Sequence, residues 1–128
     1  MTTKFFFIFS VMMLMLSLSI FAEDTSKNNQ LVPVQSKFVC MVNDKAFDKE
    51  QIPVEVEGKT YYGCCQMCKD KLAQDSQIRT ATDPVSGKKV DKATAVIAKQ
   101  ADGSVVYFEN EENMKKYSPQ SHEEHKDQ

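Results

Sequence analysis

Lys59-Thr60-Tyr61-Tyr62-Gly63-Cys64-Cys65-Gln66-Met67-Cys68-Lys69-Asp70-Lys71-Leu72 decides how this chain is read. It holds three of the four cysteines within five positions, and the fourth, Cys40, lies 24 residues upstream. Lys59 to Tyr62 alternates as a strand, Gly63 allows a sharp change of direction, and Cys64 to about Ser76 suits a helix. A strand running through a glycine into a helix, with thiols at the junction, is a metal site, a set of disulfides or a redox motif.

Working outward, Val54-Glu55-Val56 alternates and Glu57-Gly58 turns, which predicts a hairpin with Lys59–Tyr62. Phe38 to Val42 is a short apolar run, a strand or knuckle loop, and Asn43-Asp44-Lys45 is turn-like. Downstream the plan returns. Asp83 to Gly87 makes a turn, Thr94 to Ala98 is β-rich, Asp102-Gly103 is a hairpin turn and Val105 to Phe108 is the return strand. Glu109 to Tyr117 suits a short helix, stopped by Ser118-Pro119.

A shift of 46 residues lays one half on the other: Val39 on Val85, Tyr61 on Tyr107, Tyr62 on Phe108 and Lys69 on Lys115. The same shift sets Cys40 on Ser86, Cys64 on Asn110, Cys65 on Glu111 and Cys68 on Met114. The predicted fold is therefore α+β, with two tandem ββα units of the treble-clef or zinc-ribbon kind over 38–80 and 81–118. The first carries all the thiols. A module of roughly 40 residues rarely closes a sufficient core without a metal, a disulfide or a partner. A metal or disulfide is expected to close the first unit, and packing against it to support the second.

Met1 to Ala22 reads as a secretory signal peptide: Lys4, then an apolar run from Phe5 to Phe21, then a small residue before Glu23-Asp24. An uncleaved membrane anchor is the alternative for this run; with cleavage after Ala22, no stable membrane span remains. The polar 23–37 reads as a flexible lead-in and the charged 119–128 as a disordered tail. Without Lys4 the chain has 15 basic and 18 acidic residues, a formal charge of −3, which gives no electrostatic footprint for nucleic acid. The expected location is exported, periplasmic or secreted, where disulfides are permitted.

If the helix begins near Gly63, Cys64 and Cys68 share one of its faces at i and i+4. Two such sulfurs can reach one ion at the ~2.3 Å typical of zinc–thiolate bonds. Cys40, returned by the hairpin, supplies a third, and Cys65 is the fourth or spare ligand. No histidine follows Ala22 before His122, so the site is nearly pure sulfur. Soft thiolates select Cu(I) or Zn(II), one ion per chain. Three thiolates suit trigonal Cu(I), whereas a closed zinc site would also take Cys65. Two alternatives stay open. Cys65-Gln66-Met67-Cys68 is a Cys-x-x-Cys pair at a helix start, the pattern of a thiol–disulfide oxidoreductase. An even number of cysteines also fits an exported interaction module stabilised by structural disulfides. His122 and His125 do not form a metalloprotease pattern. Met41, Met67 and Met114 read as core filler before thioether ligands.

Cys40, then Cys64-x-x-x-Cys68 preceded by Tyr61-Tyr62-Gly63, resembles the TRASH/YHS group of metal-binding domains. Asp83-Pro84-Val85-Ser86-Gly87-Lys88 resembles that group's Asp-Pro-Val-Cys-Gly-Met opening, and Tyr107-Phe108-Glu109-Asn110 its Tyr-Phe-Cys-Ser. The likeness runs from about Phe38 to Tyr117. It implies a small domain that senses, carries or resists heavy metals, copper above all. By position it assigns the ligands to Cys40, Cys64 and Cys68 and gives Cys65 a variable place. The second half departs at every ligand position. The functional expectation is an exported soft-metal carrier, buffer or resistance factor that meets another metal-handling protein. No nucleophile–base pair, phosphate loop or acidic dyad is evident, so the chain is not read as an enzyme.

Overall fold

The computed structural model describes residues 31–118. The proposed signal peptide, most of the lead-in and the tail with His122 and His125 lie outside the described residues. Along the chain come β1 (Val32–Pro33), a 3-10 turn (Ser36–Phe38), β2 (Val39–Cys40), β3 (Lys45–Ala46), β4 (Ile52–Val56), β5 (Lys59–Gly63) and α1 (Gln66–Gln74). Then follow β6 (Thr80–Thr82), β7 (Lys89–Asp91), β8 (Val96–Lys99), β9 (Val105–Phe108) and α2 (Glu111–Lys116). The class is α+β, as expected. No helix among the described residues is long and apolar enough to cross a membrane.

The strands form small antiparallel sheets: β1-β8-β9, β2-β3, β4-β5 and β6-β7. The β4–β5 hairpin runs in register from Ile52 opposite Gly63 to Val56 opposite Lys59. Its two-residue loop has positive φ at Glu57 (52°) and Gly58 (76°), the mirror-image turn that matches strand twist. Register sets Val54 across from Tyr61, and both face the core. β8 and β9 pair from Val96 opposite Phe108 to Lys99 opposite Val105. Gly103 (φ 84°) takes the left-handed position in their connection.

One core serves both halves. Val39, Met41, Val54, Tyr61 and Leu72 meet Ile97, Val105 and Tyr107 in a single buried cluster. Polar side chains then cross between the halves in a reciprocal pattern. The Tyr61 hydroxyl donates to Asp91 Oδ1 at 2.9 Å, with Lys59 Nζ 2.6 Å from the same carboxylate. The Tyr107 hydroxyl donates to Asp44 Oδ1 at 2.9 Å, with Lys92 Nζ 2.6 Å from it. Backbone bonds join the same seam: Val105 N–H to Asp44 O and Ala46 N–H to Gly103 O, each 2.9 Å.

Several boundaries differ from the sequence reading. Val32–Pro33, placed in the lead-in, pairs with Ala98 and Lys99 as an edge strand, where proline's missing N–H does no harm. β6 straddles the expected 80/81 boundary and pairs with β7 (Thr80 opposite Asp91), so the expected turn over 83–87 is the loop of a hairpin. The helix expected from Cys64 begins at Gln66, with Cys65 extended (φ −154°, ψ 173°) as its N-cap. The first helical bond runs from Lys69 N–H to Cys65 O at 3.0 Å. α1 buries Cys68 and Leu72, one turn apart, and Arg79 Nη1 satisfies the Leu72 carbonyl near its end at 2.6 Å.

A candidate metal centre

Cys40 closes β2 opposite Lys45 and opens the turn over 41–44 that leads into β3. Met41 N–H donates to Tyr62 O at 2.9 Å, which pins this knuckle against the end of β5. Cys64 follows β5, Cys65 caps α1 and Cys68 sits in the first helical turn. Gly63 makes the close packing possible. A Cβ there would lie 2.9 Å from Cys68 Cβ and 3.2 Å from the Cys68 carbonyl carbon, so a side chain would push the helix start away.

The ligand atoms of Cys40, Cys64 and Cys68 all lie within 4.8 Å of one another. Cys40 Sγ is 3.9 Å and Cys64 Sγ 3.6 Å from Cys68 Sγ. Two thiolates bound to one ion at ~2.3 Å stand ~3.8 Å apart at a tetrahedral angle and ~4.0 Å at a trigonal one. The three-sulfur group therefore has the spacing of a soft-metal site, and three of the residues expected from the sequence come together in it. Cys64 does so by another route than expected. It lies ahead of the helix, so it shares no helical face with Cys68, and the turn through extended Cys65 brings its sulfur back. The Cys65 sulfur touches Cys68 at 3.5 Å but stands outside the three-sulfur group. All four cysteines are thiols here; Cys40 and Cys68 are buried, and Cys64 and Cys65 reach the surface.

The thiols are not equivalent. Burial raises the Cys40 thiol, but the Asn43 and Val42 amides, with the Cys64 thiol, outweigh it and leave it below its ordinary value. Burial, with the Cys65 and Cys64 thiols beside it, pushes Cys68 up to about 12. Cys64 is raised by the Cys40 thiol and by burial. Cys65 is lowered by the Cys68 amide at the helix start, although its sulfur makes no well-formed cap hydrogen bond. Within the three-sulfur group the Cys40 sulfur is thus the one disposed toward negative charge, and Cys68 the one that holds its proton most firmly. Asn43 Nδ2 lies 3.6 Å from Cys64 Sγ. Sequence reasoning treated Asn43 as a turn residue, and no local pattern distinguishes an asparagine that turns a chain from one that also donates to sulfur.

The second half answers this site with hydrogen bonds. Fully buried Asp83 follows β6 as Cys40 closes β2. Its Oδ1 accepts from the amides of Val85 (2.7 Å) and Ser86 (3.2 Å), two and three residues on, the spacing of Val42 and Asn43 from Cys40. Its Oδ2 accepts from Glu109 N–H and Asn113 Nδ2, each at 2.8 Å. Asn110 caps α2 with a backbone (φ −157°, ψ 170°) close to that of Cys65, and its side chain accepts from Asn113 N–H. In space Asp83 therefore faces Glu109 and Asn113 as Cys40 faces Cys64 and Cys68. The 46-residue shift, which paired Cys40 with Ser86 and Cys68 with Met114, misses this. The two halves differ in loop length, so no single shift aligns both knuckle and helix.

Comparison with protein-family models, with curated proteins and with solved structures finds no match to this chain.

Proposed function

We propose that this protein binds one soft metal ion, Cu(I) or Zn(II), through Cys40, Cys64 and Cys68, and serves as an exported carrier, buffer or resistance factor for copper or another heavy metal. The observation that carries this is the spacing of the three sulfurs, with Cys68 3.6 and 3.9 Å from its two partners. The TRASH/YHS resemblance of the same residues supports it, and the leader-like Met1–Ala22 supports export. Binding and release, rather than catalysis, suit a site with two buried sulfurs and one at the surface. Cys64 gives an acceptor protein access to the ion, and Cys65 next to it is a spare thiolate for ligand exchange. The second half is a scaffold, its Asp83 lone pairs already taken by amides.

A second reading has an observation of its own. Cys65 and Cys68 form a Cys-x-x-Cys pair with sulfurs 3.5 Å apart, in reach of a disulfide after a small side-chain rotation. Metal content and a free-thiol count on protein taken from the exporting compartment separate the two. One equivalent of metal with reduced thiols supports the metal centre. No metal and no free thiols supports disulfides, and a reversible Cys65–Cys68 couple supports redox exchange.

A further inference from the structure

Among the described residues the buried charged side chains are Asp83 and Lys92. Asp83 is explained by the amides it gathers. Lys92, only 4% exposed, is an ammonium withdrawn from water, which is costly unless every donor finds an acceptor. Its hydrogen-bond acceptors both belong to the knuckle that carries Cys40. Lys92 Nζ donates to the Met41 carbonyl at 2.8 Å and to Asp44 Oδ1 at 2.6 Å, and it lies 5.0 Å from the centre of the Tyr107 ring. The Tyr107 hydroxyl donates to the same Asp44 oxygen at 2.9 Å. Asp44 itself takes the left-handed backbone (φ 52°) that closes the turn.

The bond to Met41 has a geometric consequence. The Met41 carbonyl and the Val42 N–H belong to one planar trans peptide, so they point in opposite directions. Holding the carbonyl toward Lys92 aims the Val42 amide the other way, within the 41–44 turn that follows Cys40. The Asn43 amide follows in the same turn.

We propose that Lys92 is a positioning residue of the metal centre: it fixes the Met41–Val42 peptide so that the knuckle amides face the Cys40 sulfur and present it for coordination. The proposal rests on the metal reading above for its purpose, but not for its geometry. It gives the thiol-free half a task at the site: Lys92, Tyr107 and Val105 set the shape of a turn that belongs to the other half. The Asp44 carboxylate balances the ammonium, so the pair supplies shape rather than net charge.

The test is Lys92→Met in the full chain, which keeps length and apolar bulk and removes the donor. Amide hydrogen exchange of the reduced, metal-free protein reads the knuckle directly. The Val42 and Asn43 amides are expected to gain a larger factor in exchange rate over wild type than those of Leu72 and Phe108, which read the loss of global stability. With Co(II) as probe, the variant is expected to bind about tenfold or more weaker, the range typical of outer-shell lesions, and to shift the thiolate-to-Co(II) charge-transfer band. Asp83→Ala, a lesion remote from the cysteines, is expected to lower stability and leave that band unmoved. A Val42 amide at the free-peptide rate in wild type, or wild-type exchange and band in Lys92→Met, overturns the proposal. Should wild type bind no Co(II) while Lys92→Met still releases Val42, the metal reading falls and the role of Lys92 in shaping the Cys40 turn stands. Should Lys92→Met fail to fold, Tyr107→Phe removes one donor from the same Asp44 oxygen. A smaller rise in Val42 exchange supports the proposal, and no rise overturns it.

Discussion

Asp83→Ala tests whether a hydrogen-bonded carboxylate holds the second half together. The substitution strips acceptors from the Val85, Ser86 and Glu109 amides and from Asn113 Nδ2. An unsatisfied buried donor costs about 1–3 kcal/mol. All four donors belong to residues that keep some contact with solvent, so the low end applies, and the four together come to about 4 kcal/mol. That is a large share of the roughly 5–15 kcal/mol that holds a domain folded. The effect should also depend on pH. Burial raises the Asp83 carboxyl, but Asn113 and the Glu109, Val85 and Ser86 amides outweigh it, and the net value is lowered. Where a carboxyl's folded pKa lies below its unfolded value of about 3.9, the folded state binds fewer protons between the two. The stabilisation is therefore complete above that window and lost as pH falls through the folded value. Urea titrations of wild type and Asp83→Ala, with thiols reduced and metal chelated, should differ by about 4 kcal/mol at neutral pH and by progressively less below pH ~4. A neutral-pH difference under about 1 kcal/mol, or one that does not shrink in acid, refutes the reasoning.

Four other outcomes are expected. Cys40→Ser, Cys64→Ser and Cys68→Ser should each abolish stoichiometric metal after desalting, whereas Cys65→Ser should retain most of it; equal loss from Cys65→Ser and Cys64→Ser would point to a four-thiolate zinc-like site. Gly63→Ala should cost about 1–3 kcal/mol by overpacking and weaken metal binding as well, because the added Cβ meets Cys68 Cβ at 2.9 Å; unchanged melting and unchanged affinity would contradict that contact. Metal affinity should fall as pH drops, since each ligand thiol must give up its proton, and Cys68 holds its proton up to about 12 in the metal-free chain; competition titrations at neutral and mildly acidic pH read this, and a flat profile would exclude thiolate ligation. Saturating metal should give one ion per chain, and a second ion retained by Cys40→Ser would contradict the scaffold role of the second half.

The two long hairpins were legible because their signals are local. Glu57-Gly58 and Asp102-Gly103 are turn chemistry, and the alternation about them places Tyr61 and Tyr107 inward. The cysteine group was legible for the same reason: an unusual residue type at short spacing. The helix start was missed because helix propensity runs back through Cys64, and what stops it is tertiary. The chain stays extended through Cys65 so that Gly63 can pack on Cys68. Asp83 passed as a turn residue because a turn aspartate and a buried one read alike in sequence. Its meaning depends on Glu109 and Asn113, some thirty residues away and brought near only by folding. Lys92 carries no local signal in the sequence. Lysine is a surface residue by default, and nothing in its neighbours announces that the Met41 carbonyl needs it.

The crossed Tyr61–Asp91 and Tyr107–Asp44 bonds bear on how the molecule comes apart. Each hairpin finds the partner of its tyrosine in the other half, so neither half is a separate cooperative unit. Opening one strips a buried hydroxyl of its acceptor in the other. Local unfolding of the turn that follows Cys40 would have to break the seam at Asp44, and with it the Lys92, Tyr107 and Val105 bonds. Fraying that withdrew Cys40 from the proposed site would therefore disturb both halves. If the site holds an ion as proposed, the surface sulfurs of Cys64 and Cys65 are where an acceptor would reach it in the folded protein.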